Sequence, residues 1–134
     1  MAAPSARVSA PNSTLEINVA GLRSTKGIIL ICLTANPASF PNCEGGKDSR
    51  LLRVFANKAG PIEVKNVAPG SYAISLVHDE NGNGRLDKAI LIPREGFGFS
   101  RNPTVTFGPP KFSAVEVSVG QGNVKIPVKM KYYF

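Results

Sequence analysis

Residues 78–87 read His-Asp-Glu-Asn-Gly-Asn-Gly-Arg-Leu-Asp, a string in which oxygen donors recur at every second position. With Asp79 as position 1 of a calcium loop, Asp79, Asn81, Asn83 and Asp87 fall at positions 1, 3, 5 and 9. Gly84 stands at position 6, where the chain must turn sharply, and Arg85 at position 7 offers its backbone carbonyl. A tightly curling backbone brings alternate side chains to one centre, and hard oxygens there suit calcium better than zinc or copper. Position 12 is Ile90 rather than a bidentate Glu, so the loop is not an EF-hand. Two carboxylates, the other protein oxygens and one or two waters predict weak binding, about 10⁻⁴–10⁻³ M. Glu80 and Glu95 are further candidate ligands. The competing reading is a metal-free turn, because two successive Asn-Gly pairs are a strong hairpin signal and Asx side chains cap turns unaided.

Other residues carry weaker chemical signals. His78 paired with Asp79, Asp87 or Glu95, with Ser100 as nucleophile, would make a hydrolase, yet no Gly-x-Ser-x-Gly motif, reactive cysteine context or second histidine accompanies them. A histidine at a strand end is expected instead to hydrogen-bond a loop, and the chain is read as non-catalytic. Phe97, Phe99, Phe107 and Phe112 either line a ligand groove or anchor a long Gly/Pro-rich loop, and anchoring is the commoner use. Cys32 and Cys43 flank a segment with two prolines, which suits a loop closed by a disulfide. Such a bridge stabilises by roughly 3 kcal/mol and needs an oxidising compartment. Two free thiols are the alternative.

These residues sit in a chain of 134 residues, 43% hydrophobic and 19% charged, which excludes intrinsic disorder. No apolar run approaches the roughly 18 residues of a membrane span. Thirteen glycines and eleven prolines, without Ala/Glu/Leu/Lys-rich stretches, argue against a helical bundle. The net charge of +7 invites an anionic partner, but the basic residues form no run and no recognition helix, so nucleic acid is not expected. Lys125, Lys129 and Lys131 alternate with apolar residues, as on a solvated strand face. An anionic envelope glycan or lipid stays open as the alternative partner, and the oligomeric state is open.

The positioning elements read as short strands. Leu15, Ile17 and Val19 alternate with polar residues, and 28–33 is a continuous apolar run suited to a strand covered on both faces. Strands follow over 51–55 and 62–67. Pro69-Gly70 turns the chain into a strand with Tyr72, Ile74, Leu76 and His78 on one face and Ala73 and Val77 on the other. A brief strand is expected at 89–92, irregular chain at 93–112 and a strand at 114–119. A hairpin at 120–123 then leads to a last strand, whose Pro127 places it at an edge or bulge. The sum is an all-β, seven- to eight-stranded antiparallel sandwich of prealbumin or immunoglobulin type, with a small barrel as alternative. Residues 1–13 read as a flexible tail left after processing, and 14–134 as one domain.

Residues 69–74, 78–84, 86–87 and 92–100 together resemble domain of unknown function 2141, a family of uncharacterised exported bacterial proteins. The Pro69-Gly70-Ser71-Tyr72 turn also resembles those of transthyretin-like and carboxypeptidase-regulatory-type sandwiches. The resemblance implies a precursor whose signal peptide is removed and a periplasmic, envelope or secreted location. It implies no reaction and no ligand. Arg101 intervenes before Asn102 where the family's Gly-Phe-Ser-Asn stretch is expected, so no role is carried over to that segment.

Overall fold

The computed structural model describes residues 12–46, 48–80, 96–104 and 109–132. Its strands are β1 (Ser13–Ala20), β2 (Ile28–Thr34), β3 (Ser49–Phe55), β4 (Pro61–Val67), β5 (Gly70–Asp79), β6 (Gly96–Phe99), β7 (Val117–Val119) and β8 (Asn123–Lys129), with a four-residue helix α1 (Phe112–Val115). One sheet runs β4-β1-β8 and the other β3-β2-β5-β6, with β7 also paired to β5. This is the all-β sandwich that the alternation predicts, with two separate sheets rather than a closed barrel. Pairing is antiparallel except between β1 and β8, which run parallel, so Glu16 lies between Glu63 and Lys125.

The uninterrupted apolar run of β2 has a direct structural cause. Ile29, Ile31 and Leu33 enter the core between the sheets with Leu15, Ile17, Ile74, Leu76, Ile126 and Val128. Leu30 points the other way, into a second cluster with Ala73, Val77, Phe99 and Val115. Burying each large aliphatic side chain stabilises the fold by about 1.5–3 kcal/mol. Phe40 covers the second cluster, packing on Phe99 and edge-on to Phe112. Phe97 meets Phe99 as well, so these rings anchor chain onto the outer face. Phe107 lies outside the described residues.

Cys32 and Cys43 stand at disulfide distance, S–S 2.08 Å. The pair ties the Phe40-bearing loop over the outer face of β2, and the Ser75 hydroxyl donates to the Pro41 carbonyl of the same loop. The expected edge position of the Pro127 strand holds, since β8 closes its sheet.

Three local expectations change. Residues 96–99 form β6, because Gly96 and Gly98 let this strand pass close under Tyr132, Val128 and Met130. Residues 112–115 turn as helix before β7, which places Val115 in the second cluster. The 120–123 turn crosses from one sheet to the other, since β7 pairs with β5 and β8 with β1, and is therefore no hairpin. The strand expected at 89–92 lies outside the described residues.

Candidate functional site

The end of β5 delivers His78, Asp79 and Glu80 to the start of the 79–87 segment, opposite the connection between β1 and β2. Gly27, in that connection, has φ +71°, a left-handed conformation that glycine adopts without penalty. An added Cβ there would lie 2.0 Å from the Asp79 carbonyl oxygen, so only glycine permits this approach. Asp79 itself is 1% exposed.

Glu80 is held from the same connection. Arg23 donates to its Oε1 from Nη2 at 2.6 Å and from Nε at 3.1 Å, and the Ser24 hydroxyl donates to Oε2 at 2.7 Å. These donors, the Arg23 guanidinium foremost, hold the Glu80 carboxyl at about 2, well below the usual carboxylate value. The Arg23 guanidinium also lies 4.6 Å from the centre of the Tyr132 ring, a cation–π contact.

His78 is fully buried, and both of its ring nitrogens are engaged. Nε2 lies 2.7 Å from the Lys26 carbonyl, which only accepts, so Nε2 donates to it. In that tautomer Nδ1 accepts from the Tyr132 hydroxyl at 2.6 Å. Burial pushes the Tyr132 phenol above its ordinary value, opposed by a hydrogen bond from the Arg23 backbone and aided by the charge of Glu80. Ser100, equally buried, accepts from the Ile74 N–H at 3.2 Å and donates to the Val115 carbonyl. Those bonds join β5, β6 and the segment before β7. The His78 ring and the Ser100 hydroxyl thus serve different partners and form no nucleophile–base pair.

Of the residues matched to a calcium loop, Asp79 is described and lies buried at the end of β5. Asn81, Asn83, Arg85 and Asp87 fall outside the described residues, as does Glu95. Among the described residues no three His, Cys, Asp or Glu side chains gather to hold a metal. Glu80, a candidate extra ligand, has its oxygens taken by Arg23 and Ser24. Sequence reasoning expected a loop partner for His78 and missed Arg23, Ser24 and Tyr132. No periodicity relates these positions, which meet only because β8 brings residue 132 across the 21–27 connection.

A family model described as "Uncharacterized protein conserved in bacteria (DUF2141)" matches residues 17–127. The chain belongs to this family. The DUF2141 match runs from within β1 to within β8 and includes the whole of the 79–87 segment. Comparison with curated proteins found no match, and comparison with solved structures found none. The DUF2141 description names bacteria and no reaction, ligand or partner. No described helix is long and apolar enough to cross a membrane.

Proposed function

We propose that this chain is an exported, non-catalytic β-sandwich domain of a bacterium in which residues 79–87 bind calcium for structural purposes. The observation that carries the reading is the burial of the Asp79 carboxylate, 1% exposed, at the first position of the ligand-spaced loop. A buried carboxylate must be compensated by donors or by a cation, and a divalent ion shared with Asn81, Asn83, Asp87 and the Arg85 carbonyl would add to whatever already faces Asp79. Gly27 and the Arg23–Glu80 pair support it further, because they fix the backbone from which the loop departs. Export is supported by Cys32 and Cys43 at disulfide distance, a pairing that persists in oxidising compartments.

Thermal unfolding with and without calcium tests the metal. At calcium about tenfold above a millimolar Kd, stability rises by about 1.4 kcal/mol. Magnesium, which demands stricter octahedral geometry, gives a smaller rise. Asp79→Ala and, independently, Asp87→Ala abolish the calcium increment. Asp87→Ala serves where loss of the buried Asp79 perturbs the fold. A melting curve unmoved by about 10 mM calcium overturns the reading.

A further inference from the structure

At the other end of β5, seven residues and about 23 Å of strand from Asp79, a cleft of about 400 Å³ opens between the edges of the two sheets. Its floor is Leu33 and Val67, each 1% exposed, and its wall includes the half-buried Tyr72. The rim carries Asn12, Asp48 and Asn66. Arg50, on β3, donates through Nη1 to the Lys65 carbonyl at 2.6 Å and through Nη2 to the Asn66 carbonyl, which ties the two walls together. The Tyr72 hydroxyl donates to the Ala68 carbonyl at 2.7 Å and fixes the ring. The cleft is therefore preformed.

Two rim residues share an unusual backbone. Asp48 and Asn66 have φ of 54° and 61°, in the left-handed region that glycine, and after it Asn and Asp, adopt most readily. Other non-glycine residues in this conformation have evident structural work. Cys43 pairs with Cys32, Arg101 donates to the Ser113 carbonyl, and the Asn102 amide spans Pro127 and Lys129 on β8. The side chains of Asp48 and Asn66 hydrogen-bond nothing among the described residues, and neither does that of Asn12. Asn and Asp adopt this conformation more readily than other side-chain-bearing residues, and here they place a carboxylate and an amide at the rim of the cleft.

We propose that this cleft binds a saccharide. A sugar ring offers an apolar C–H face to the half-buried Tyr72 ring, above the closed Leu33–Val67 floor, and hydroxyls to a rim of amide and carboxylate groups that donate and accept. The volume lies at the lower end of small-molecule sites and suits one or two sugar rings. Arg50 already spends donors on carbonyls, which leaves hydroxyl recognition, rather than a phosphate clamp, as the main capacity of the rim.

The test is amide NMR titration of the full chain with glucose, with glucuronate and with inorganic phosphate as separate probes. Glucose at tens of millimolar is expected to move the amides of residues 48, 66 and 72. Glucuronate binding more tightly than glucose still supports the site and adds a charge preference. The double variant Asp48→Gly/Asn66→Gly keeps the left-handed backbone, retains or raises the melting temperature, and weakens sugar binding about tenfold or more. Shifts with phosphate alone, no shifts with either sugar, or unchanged sugar binding by the double variant overturns the proposal. The calcium response of that variant stays that of the wild type, so failure here is separate from failure of the metal loop.

Discussion

The Tyr132 hydroxyl lies 2.6 Å from Nδ1 of the buried His78, fifty-four residues earlier in the chain. With Lys26 accepting from the opposite ring nitrogen, the histidine becomes a crosspiece between the 21–27 connection, β5 and the segment that follows β8. The end of β5, from which residues 79–87 depart, is therefore braced from two sides.

Tyr132→Phe keeps the ring beneath Arg23 and against Gly96 but removes the hydroxyl. Nδ1 of His78 loses its donor in a buried site, a loss of about 1–3 kcal/mol in denaturant unfolding. The same variant reports on alkali. A phenol whose folded pKa is raised binds its proton more tightly when folded, so its contribution is present below the unfolded value of 10.0 and is lost as pH rises above it. The wild type is expected to lose stability above pH 10 more steeply than Tyr132→Phe, and parallel alkaline limbs would contradict this.

Glu80 gives the opposite sign at acid pH. Its folded pKa of about 2 lies below the ordinary 4.5, so the Arg23 and Ser24 bonds contribute fully above pH 4.5 and are lost as pH falls towards 2. The carboxylate is partly exposed and screened, which keeps the effect under about 1 kcal/mol. Glu80→Gln is expected to flatten the stability profile across that window by this amount. Equal slopes for variant and wild type would remove the ion pair from the account.

Much of this architecture is legible in the sequence, and the exceptions share a cause. Alternation at Leu15, Ile17 and Val19, and the apolar run of β2, follow from which faces are covered, a local property of the chain. Cys32 and Cys43 lie only eleven residues apart, so their pairing was also within local reach. By contrast, β6 depends on Gly96 and Gly98 sliding under Tyr132 and Val128, and the 120–123 turn depends on which sheet accepts β8. Arg23 and Ser24 announce nothing by spacing, and the cleft beside Tyr72 exists only where β3 and β4 meet. Long-range pairing decides these features, and one sequence does not encode it as a pattern.

Gly27→Ala is expected to be among the most damaging single-methyl changes. It places a Cβ 2.0 Å from the Asp79 carbonyl and forces alanine into a left-handed conformation, so either β2 or β5 must move. A loss above about 2 kcal/mol is expected, with altered amide signals at residues 78–80. Gly46→Ala, also at positive φ but with no atom within 4 Å of the added Cβ, isolates the conformational cost alone. Equal losses in the two variants would show that the close approach contributes nothing.

Replacing both Cys32 and Cys43 with alanine frees the loop that carries Phe40 over the outer cluster. The chain-entropy cost for so short a loop is about 3 kcal/mol. Loss of Phe40 packing follows only if the loop detaches, so the double variant and Phe40→Ala are expected to be non-additive. Once the loop is released, removing the ring costs little more, whereas in the bridged protein Phe40→Ala costs about 3 kcal/mol or somewhat less for a half-buried ring. Denaturant unfolding of the four combinations measures this coupling. Strict additivity would mean that Phe40 stays seated without the bridge, and that the second cluster, rather than the disulfide, holds the loop.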